Sequence, residues 1–115
     1  MIFVTFFLKM YRKFDKNRPV MYAYIVSFKV KHGAGITFVE LQKFEALTEA
    51  KPAGLDHFHI FKDRVEENKY FLVEYWNSKE DKDKLETSKE YQLFREHRKL
   101  VIDKKCETYE CDVIV

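Results

Sequence analysis

Residues 21–30 read MYAYIVSFKV, and their alternation decides the fold. Tyr22, Tyr24, Val26, Phe28 and Val30 fall on one face of an extended chain, with Ala23, Ser27 and Lys29 on the other. Such period-two alternation marks a half-buried strand. The turn His32-Gly33-Ala34-Gly35 ends it. Downstream, Thr37 and Glu40 stand at capping-box spacing with Ile36 and Leu41 as the hydrophobic staple, which predicts a helix opening at Thr37. Phe38, Leu41, Phe44, Leu47 and Thr48 make its apolar face, and Lys51-Pro52-Ala53-Gly54 stops it.

A second strand is predicted over 55–62, with Asp56, Phe58 and Ile60 facing one way and Leu55, His57, His59 and Phe61 the other. The charged segment 63–68 reads as a hairpin connection. The run YFLVEYW at 70–76 has almost no polar break, so both faces of this third strand are expected to be covered. Ser78 opens a helical region with Asp81 at its capping-box position, and Thr87-Ser88 interrupts it. A longer helix then runs from Lys89 to about Asp103, with Tyr91, Phe94, His97 and Val101 on one face. A last strand is expected over 106–115.

The order is β-α-β-β-α-β, the split βαβ arrangement of an α+β, ferredoxin-like domain with an antiparallel four-stranded sheet. Two helices cover one sheet face. The other also carries large apolar groups, and the simplest cover is a second copy of the chain, giving a twofold homodimer whose sheets close into a barrel. Residues 21–115 form this domain. Residues 1–10, MIFVTFFLKM, read as a further strand, and residues 1–20 as an added arm, with Pro19 disfavouring helix at Arg18.

Composition narrows the function classes. A chain of 115 residues holds one domain, and 17% aromatics with only 3 Gly and 2 Pro describe a packed chain rather than a disordered one. Basic residues number 21 against 19 acidic, without the basic stripe that nucleic-acid binding needs. The densest basic stretch, Lys9 to Arg18, contains Asp15 and reads as a solvated connector. Met1 to Leu8 is far shorter than the roughly 20 apolar residues of a membrane helix, and it lacks a signal peptide's basic start, so no membrane partner is expected. Cys106 and Cys111 are placed to point to opposite faces of the last strand, too far apart to bridge. Two unpaired thiols suit a cytoplasmic location, and no zinc ligand set accompanies them.

His57 and His59 alternate on one strand face, about 6–7 Å apart at Cα. A pair of imidazoles suits proton transfer near neutral pH. A metal site would need a third ligand, and Asp56 is expected on the opposite face, so a polar pocket wall or dimer contact is the reading preferred over a metal.

Three stretches resemble the antibiotic biosynthesis monooxygenase family. They are PAGLDHFHIFKD at 52–63, Glu74-Tyr75-Trp76 followed at once by Asn77-Ser78-Lys79-Glu80, and Thr87-Ser88-Lys89-Glu90-Tyr91. The resemblance spans residues 21–115. It implies a homodimeric α+β barrel with a pocket, between sheet and helices, for a flat or small organic ligand. Family activities include cofactor-independent oxidation of polyketide-like aromatics, heme degradation and processing of small signalling molecules. Trp76 matches the family's pocket-lining tryptophan. The heme-ligating histidine falls on Arg95, whose guanidinium cannot ligate iron. The asparagine that assists heme degradation falls on Ser27, and a second family tryptophan on Leu85. The two histidines of the signal-processing members fall on Leu85 and Glu90.

The reading that follows is a small dimeric monooxygenase acting on a conjugated organic substrate, with no cofactor called for. Trp76 would stack on the substrate, His57 or His59 would act as base, and Tyr24 or Ser27 would donate hydrogen bonds. Tyr91, Phe94 and His97 would complete the lining, with His97 buried and hydrogen-bonded on the apolar helix face. The alternative is a non-catalytic dimer that binds a small ligand or serves a stress response. An open cavity touching Trp76 favours the enzyme, and a pocket sealed by bulky side chains favours the binding protein.

Overall fold

The alternating run becomes the central strand. The computed structural model describes residues 20–47 and 52–115, with side chains described through Lys43 in the first of these stretches. Strand β1 (Tyr22–Val30) lies between β3 (Lys69–Trp76) and β4 (Ile102–Asp112), and β2 (Leu55–Lys62) pairs with the outer side of β3. All three pairings are antiparallel. Helix α1 (Gly35–Leu47) joins β1 to β2, and α2 (Lys79–Glu86) and α3 (Lys89–Lys99) join β3 to β4. This is the ferredoxin-like α+β architecture, with the second helical region broken in two. The arm read over residues 1–20, apart from Val20, and the parts played by Phe44, Leu47, Thr48 and Lys51 lie outside the described residues.

One sheet face builds the core. Tyr22, Tyr24, Val26, Phe28 and Val30 are buried there with Leu55, Leu72 and Trp76, under Phe38 of α1. Phe38 meets Phe28 edge-on at 5.4 Å between ring centroids and Tyr70 at 5.5 Å. Full burial of such side chains stabilises by roughly 1.5–3 kcal/mol each, which outweighs the propensity of any one turn residue. The intervening residues form the opposite face, where Ala23 pairs with Tyr75, Ile25 with Val73 and Ser27 with Phe71. Val73 is buried and Phe71 and Tyr75 half-buried, so both faces of β3 are covered to differing degrees.

Three boundaries and one strand register differ from the sequence reading. Helix α1 opens two residues before Thr37, because the Lys31–Ala34 turn makes the Ala34 carbonyl its first acceptor, bonded by the Phe38 amide at 2.9 Å. Thr37 is therefore exposed within the first turn, and Ile36 is 82% exposed rather than a staple. In β2 the register slips, with Leu55 opposite Trp76 but His57 opposite Tyr75. This irregularity returns Leu55 to the core face beside Phe58 and Ile60. It also turns Asp56 toward His57, with Oδ2 2.6 Å from Nδ1, instead of away from it. At the far end, α3 stops at Lys99 rather than Asp103. The Val101 carbonyl accepts the Lys31 amide and Ile102 pairs with Val30, so β1 draws the chain into the sheet before residue 106.

The break between α2 and α3 is as the sequence reads. Ser78 Oγ accepts the Asp81 amide at 3.2 Å and donates to Asp81 Oδ2 at 3.1 Å. Ser88 Oγ accepts the Tyr91 amide at 3.2 Å and donates to the Leu85 carbonyl at 2.7 Å. Each hydroxyl satisfies a donor that the start of a helix leaves without an internal partner.

Candidate functional site

The half-buried face of α3 presents Tyr91, Phe94 and Arg98 at helical spacing over β1 and β4. The shorter α2 brings Lys82 and Glu86 to the same place. Between them lies a cleft of about 670 Å³, with Tyr24 and Phe28 as its floor. Lys82, Glu86, Arg95 and Arg98 come from the helices, and Lys105 and Glu110 from β4. Lys82 is only 6% exposed, pairs with Glu86 at 2.8 Å, and lies 3.7 Å from the centre of the Tyr24 ring. Lys105 Nζ donates to the Tyr24 hydroxyl at 3.2 Å. Tyr22 donates to Glu110 at 2.6 Å, and burial together with this bond raises its phenol above the ordinary range.

Glu74 does not line this cleft but lies behind it, within electrostatic reach of Lys82, Glu86 and Arg98, which do. It is opposite Tyr24 in the β1–β3 register, on the helix-facing side. Burial pushes its carboxyl up to about 7, and neighbouring Glu86 adds to the rise. A 3.4 Å bond from the Trp76 indole N–H and the charges of Arg98 and Lys82 oppose it. Lys82, Glu86 and Arg98 all line the cleft. A carboxyl balanced near neutrality by desolvation against cations is what a general base requires. Sequence reasoning passed over Glu74, which figured only in a motif. The available signal was an acidic residue at a core-facing position of a strand otherwise nearly all apolar.

The residues singled out from sequence divide between two sides of the sheet. Tyr24 and Tyr91 line the cleft, and Phe94 is buried beneath Arg98 with its ring 5.3 Å from the guanidinium carbon. Trp76 is 0% exposed in the core, reaching the cleft's neighbourhood through Glu74 and not lining it. Ser27, 3% exposed, is on the far face, where its hydroxyl accepts the Glu107 amide at 3.0 Å. There β4 carries one extra residue against β1, and the serine satisfies the N–H that the bulge takes out of the ladder.

His57 and His59 are also on the far face. His57 stacks on Tyr75 at 4.2 Å and 12°, and His59 meets Phe61 at 5.8 Å. The sheet therefore separates both imidazoles from Trp76 and Tyr24. His97 corrects the sequence reading: it is exposed, and Arg98, one residue on, occupies the buried position. One residue turns an α-helix by roughly 100°, and Phe94 with Arg98 gives the i, i+4 stripe that faces the sheet. Among the described residues no group of three or more potential metal ligands occurs.

Residues 21–97, more than half of the chain, match the sequence profile of the antibiotic biosynthesis monooxygenases. The chain belongs to the antibiotic biosynthesis monooxygenase family. Among solved structures, the chain is similar to SnoaB, a cofactor-independent oxygenase from Streptomyces nogalater, at 14% identity and a TM-score of 0.72, covering 84% of this chain and 95% of that one. A conserved protein from Methanosarcina mazei Go1 matches at 15% identity and a TM-score of 0.71, over 82% and 93% of the two chains. At these identities the likeness is one of fold. No curated protein matches the chain. The family profile covers the cleft's floor, its α2 wall and α3 through His97, whereas Arg98 and the β4 wall lie beyond the match.

Proposed function

We propose that the protein is a small dimeric monooxygenase that oxidises a conjugated organic substrate in the cleft between the sheet and α2–α3, with Glu74 as the proton acceptor. The observation that carries this reading is the Glu74 carboxyl, raised to about 7 behind a cleft large enough for a flat ligand. In its ionised form Glu74 removes a proton from an activated CH₂ group, and Lys82 and Arg98 stabilise the enolate that results. Molecular oxygen adds to the carbanion carbon. Loss of water from the hydroperoxide leaves a ketone, so CH₂ and O₂ become C=O and H₂O. The resemblance placed heme degradation among the family's activities, but all four histidines of the chain are described and none lines the cleft. Heme has no imidazole ligand there.

The second copy covers the sheet face that carries Ile25, Phe71, Val73 and Tyr75, with the His57–Tyr75 stack inside the contact. The alternative, a dimer that binds a small ligand without chemistry, is favoured by one observation: the Trp76 indole is sealed in the core. Oxygen uptake with 1,8-dihydroxyanthrone, a tricyclic ketone with an acidic CH₂, separates the two. Saturable uptake above the spontaneous rate, with quinone formed and Glu74→Gln slower by about a hundredfold or more, supports the enzyme. Binding of the anthrone without accelerated uptake supports the binding protein.

A further inference from the structure

The far face of β2 holds two imidazoles that take no part in the cleft. His57 and His59 stand two residues apart in the strand, with ring centres 5.5 Å apart at 79°. Two imidazole nitrogens that bind one metal ion at about 2.0–2.1 Å, at angles between square and tetrahedral, bring their ring centres to roughly 4.5–5 Å. The pair is thus within about 1 Å of a chelate, a gap that side-chain torsions can close.

Asp56 separates this pair from two ordinary surface histidines. A carboxylate only accepts hydrogen bonds, so at 2.6 Å His57 Nδ1 carries the hydrogen and donates it to Asp56 Oδ2. Neutral His57 then presents Nε2 as its lone-pair nitrogen. A carboxylate behind the ring fixes the tautomer and raises the basicity of the ligating nitrogen, as it does for histidines in zinc sites. Tyr75 stacks on the same ring at 4.2 Å and 12°, which holds its plane. Among the described residues the nitrogens of His59 have no hydrogen bond, and its ring touches only other rings. Strand parity put Asp56 on the opposite face and counted against a metal, but the slip at Leu55–His57 brings it to the imidazole.

We propose that His57 and His59 chelate a divalent metal ion that prefers imidazole nitrogen, such as Cu²⁺, Ni²⁺ or Zn²⁺, with Asp56 positioning His57 from behind. Mg²⁺ and Ca²⁺, which take oxygen ligands, are not expected there. No third side-chain ligand stands with the pair among the described residues, so water completes the coordination. The His57 and Asp56 side chains are each about half exposed in the single chain, which leaves room for that water. The homodimer proposed above would place the ion at the contact between copies. The site is independent of the cleft and of its chemistry.

Calorimetric titration of the untagged protein with Ni²⁺ tests it. The native chain is expected to bind the ion at least tenfold more tightly than His57→Gln or His59→Gln, because losing a ligand costs no less than losing the carboxylate behind it. Asp56→Ala should weaken binding about tenfold, and Asp56→Asn, which keeps an acceptor for Nδ1, should weaken it less. His32→Gln and His97→Gln should leave the affinity unchanged. All five side chains are exposed, so these variants keep the fold. A native chain that binds Ni²⁺ no better than the variant carrying both His57→Gln and His59→Gln would overturn the site. So would affinity that is lost instead with the exposed thiols, in Cys106→Ser or Cys111→Ser. Neither result bears on the reading of the cleft.

Discussion

At the scale of single residues, Glu74 joins stability to activity. Its folded-state pKa, about 7, lies above the ordinary glutamate value of 4.5, so the folded protein binds more protons than the unfolded chain between those limits. Stability is then greatest below pH 4.5 as far as this group is concerned, falls as pH climbs toward 7, and levels off above it. Activity runs the other way, since the base must be ionised. We expect kcat/KM to rise with pH through about 7. Glu74→Gln should abolish that rise and, at pH 8, raise the denaturation midpoint by an amount corresponding to about 1–3 kcal/mol. Denaturant titrations of both forms at pH 5 and pH 8 check the sign: a variant less stable than the native protein at pH 8 would contradict the assignment.

At the scale of elements, caps and bulges decide which residues meet. Gly54 has φ +86°, and a Cβ there would come within 2.2 Å of the Asp81 carboxylate that packs on it. Its carbonyl accepts the Asn77 amide at 2.8 Å, so the turn before β2 also anchors the start of α2. Gly54→Ala should cost about 1–3 kcal/mol through the left-handed backbone alone, read as a drop in melting temperature. Ser88→Ala should cost about 1 kcal/mol and fray the first turn of α3 under the cleft, read by amide exchange at Tyr91. These elements also show what sequence could and could not convey. The alternation in β1 and the Ser78 and Ser88 caps are local signals, and both were legible. The Thr37–Glu40 spacing imitated a cap because the competing acceptor, the Ala34 carbonyl, belongs to a turn closed by backbone bonds that leave no side-chain mark. The slip at Leu55–His57 inverted the face of Asp56, since strand parity holds only until a pairing partner shifts. Helical spacing from Tyr91, Phe94 and Val101 predicts His97 inside, whereas Arg98 holds the position with its guanidinium close to two phenylalanine rings, a contact that spacing of apolar residues does not register.

At the scale of the whole molecule, the sheet has two different neighbours. Its helix side holds the buried core and the cleft, whereas its other side carries Ile25, Phe71, Val73 and Tyr75, bordered by Phe61 at 52% and Tyr109 at 53% exposure. The dimer proposal predicts a mass by light scattering of twice the 14.0 kDa chain. Ile25→Lys, on the central strand of that face, should shift the mass to that of a single chain with an unchanged circular dichroism spectrum. A native mass of one chain at micromolar concentration would remove the second copy from the proposal. A cleft formed within one chain would then be expected to keep its ligand affinity.

The chain contains a single tryptophan, and that indole is bonded to the carboxylate on which the proposed chemistry turns. Excited at the red edge, where tyrosine does not absorb, the protein emits from one chromophore, shielded from water and bonded to an ionisable group. As the medium passes from acidic to alkaline, its colour and yield should step with a midpoint near 7, and the step should vanish in Glu74→Gln. A guest seated in the cleft should move that midpoint, because it changes the water and charge around Lys82 and Arg98, which act on the carboxyl. The protein would then report the filling of its own cleft optically, without a label.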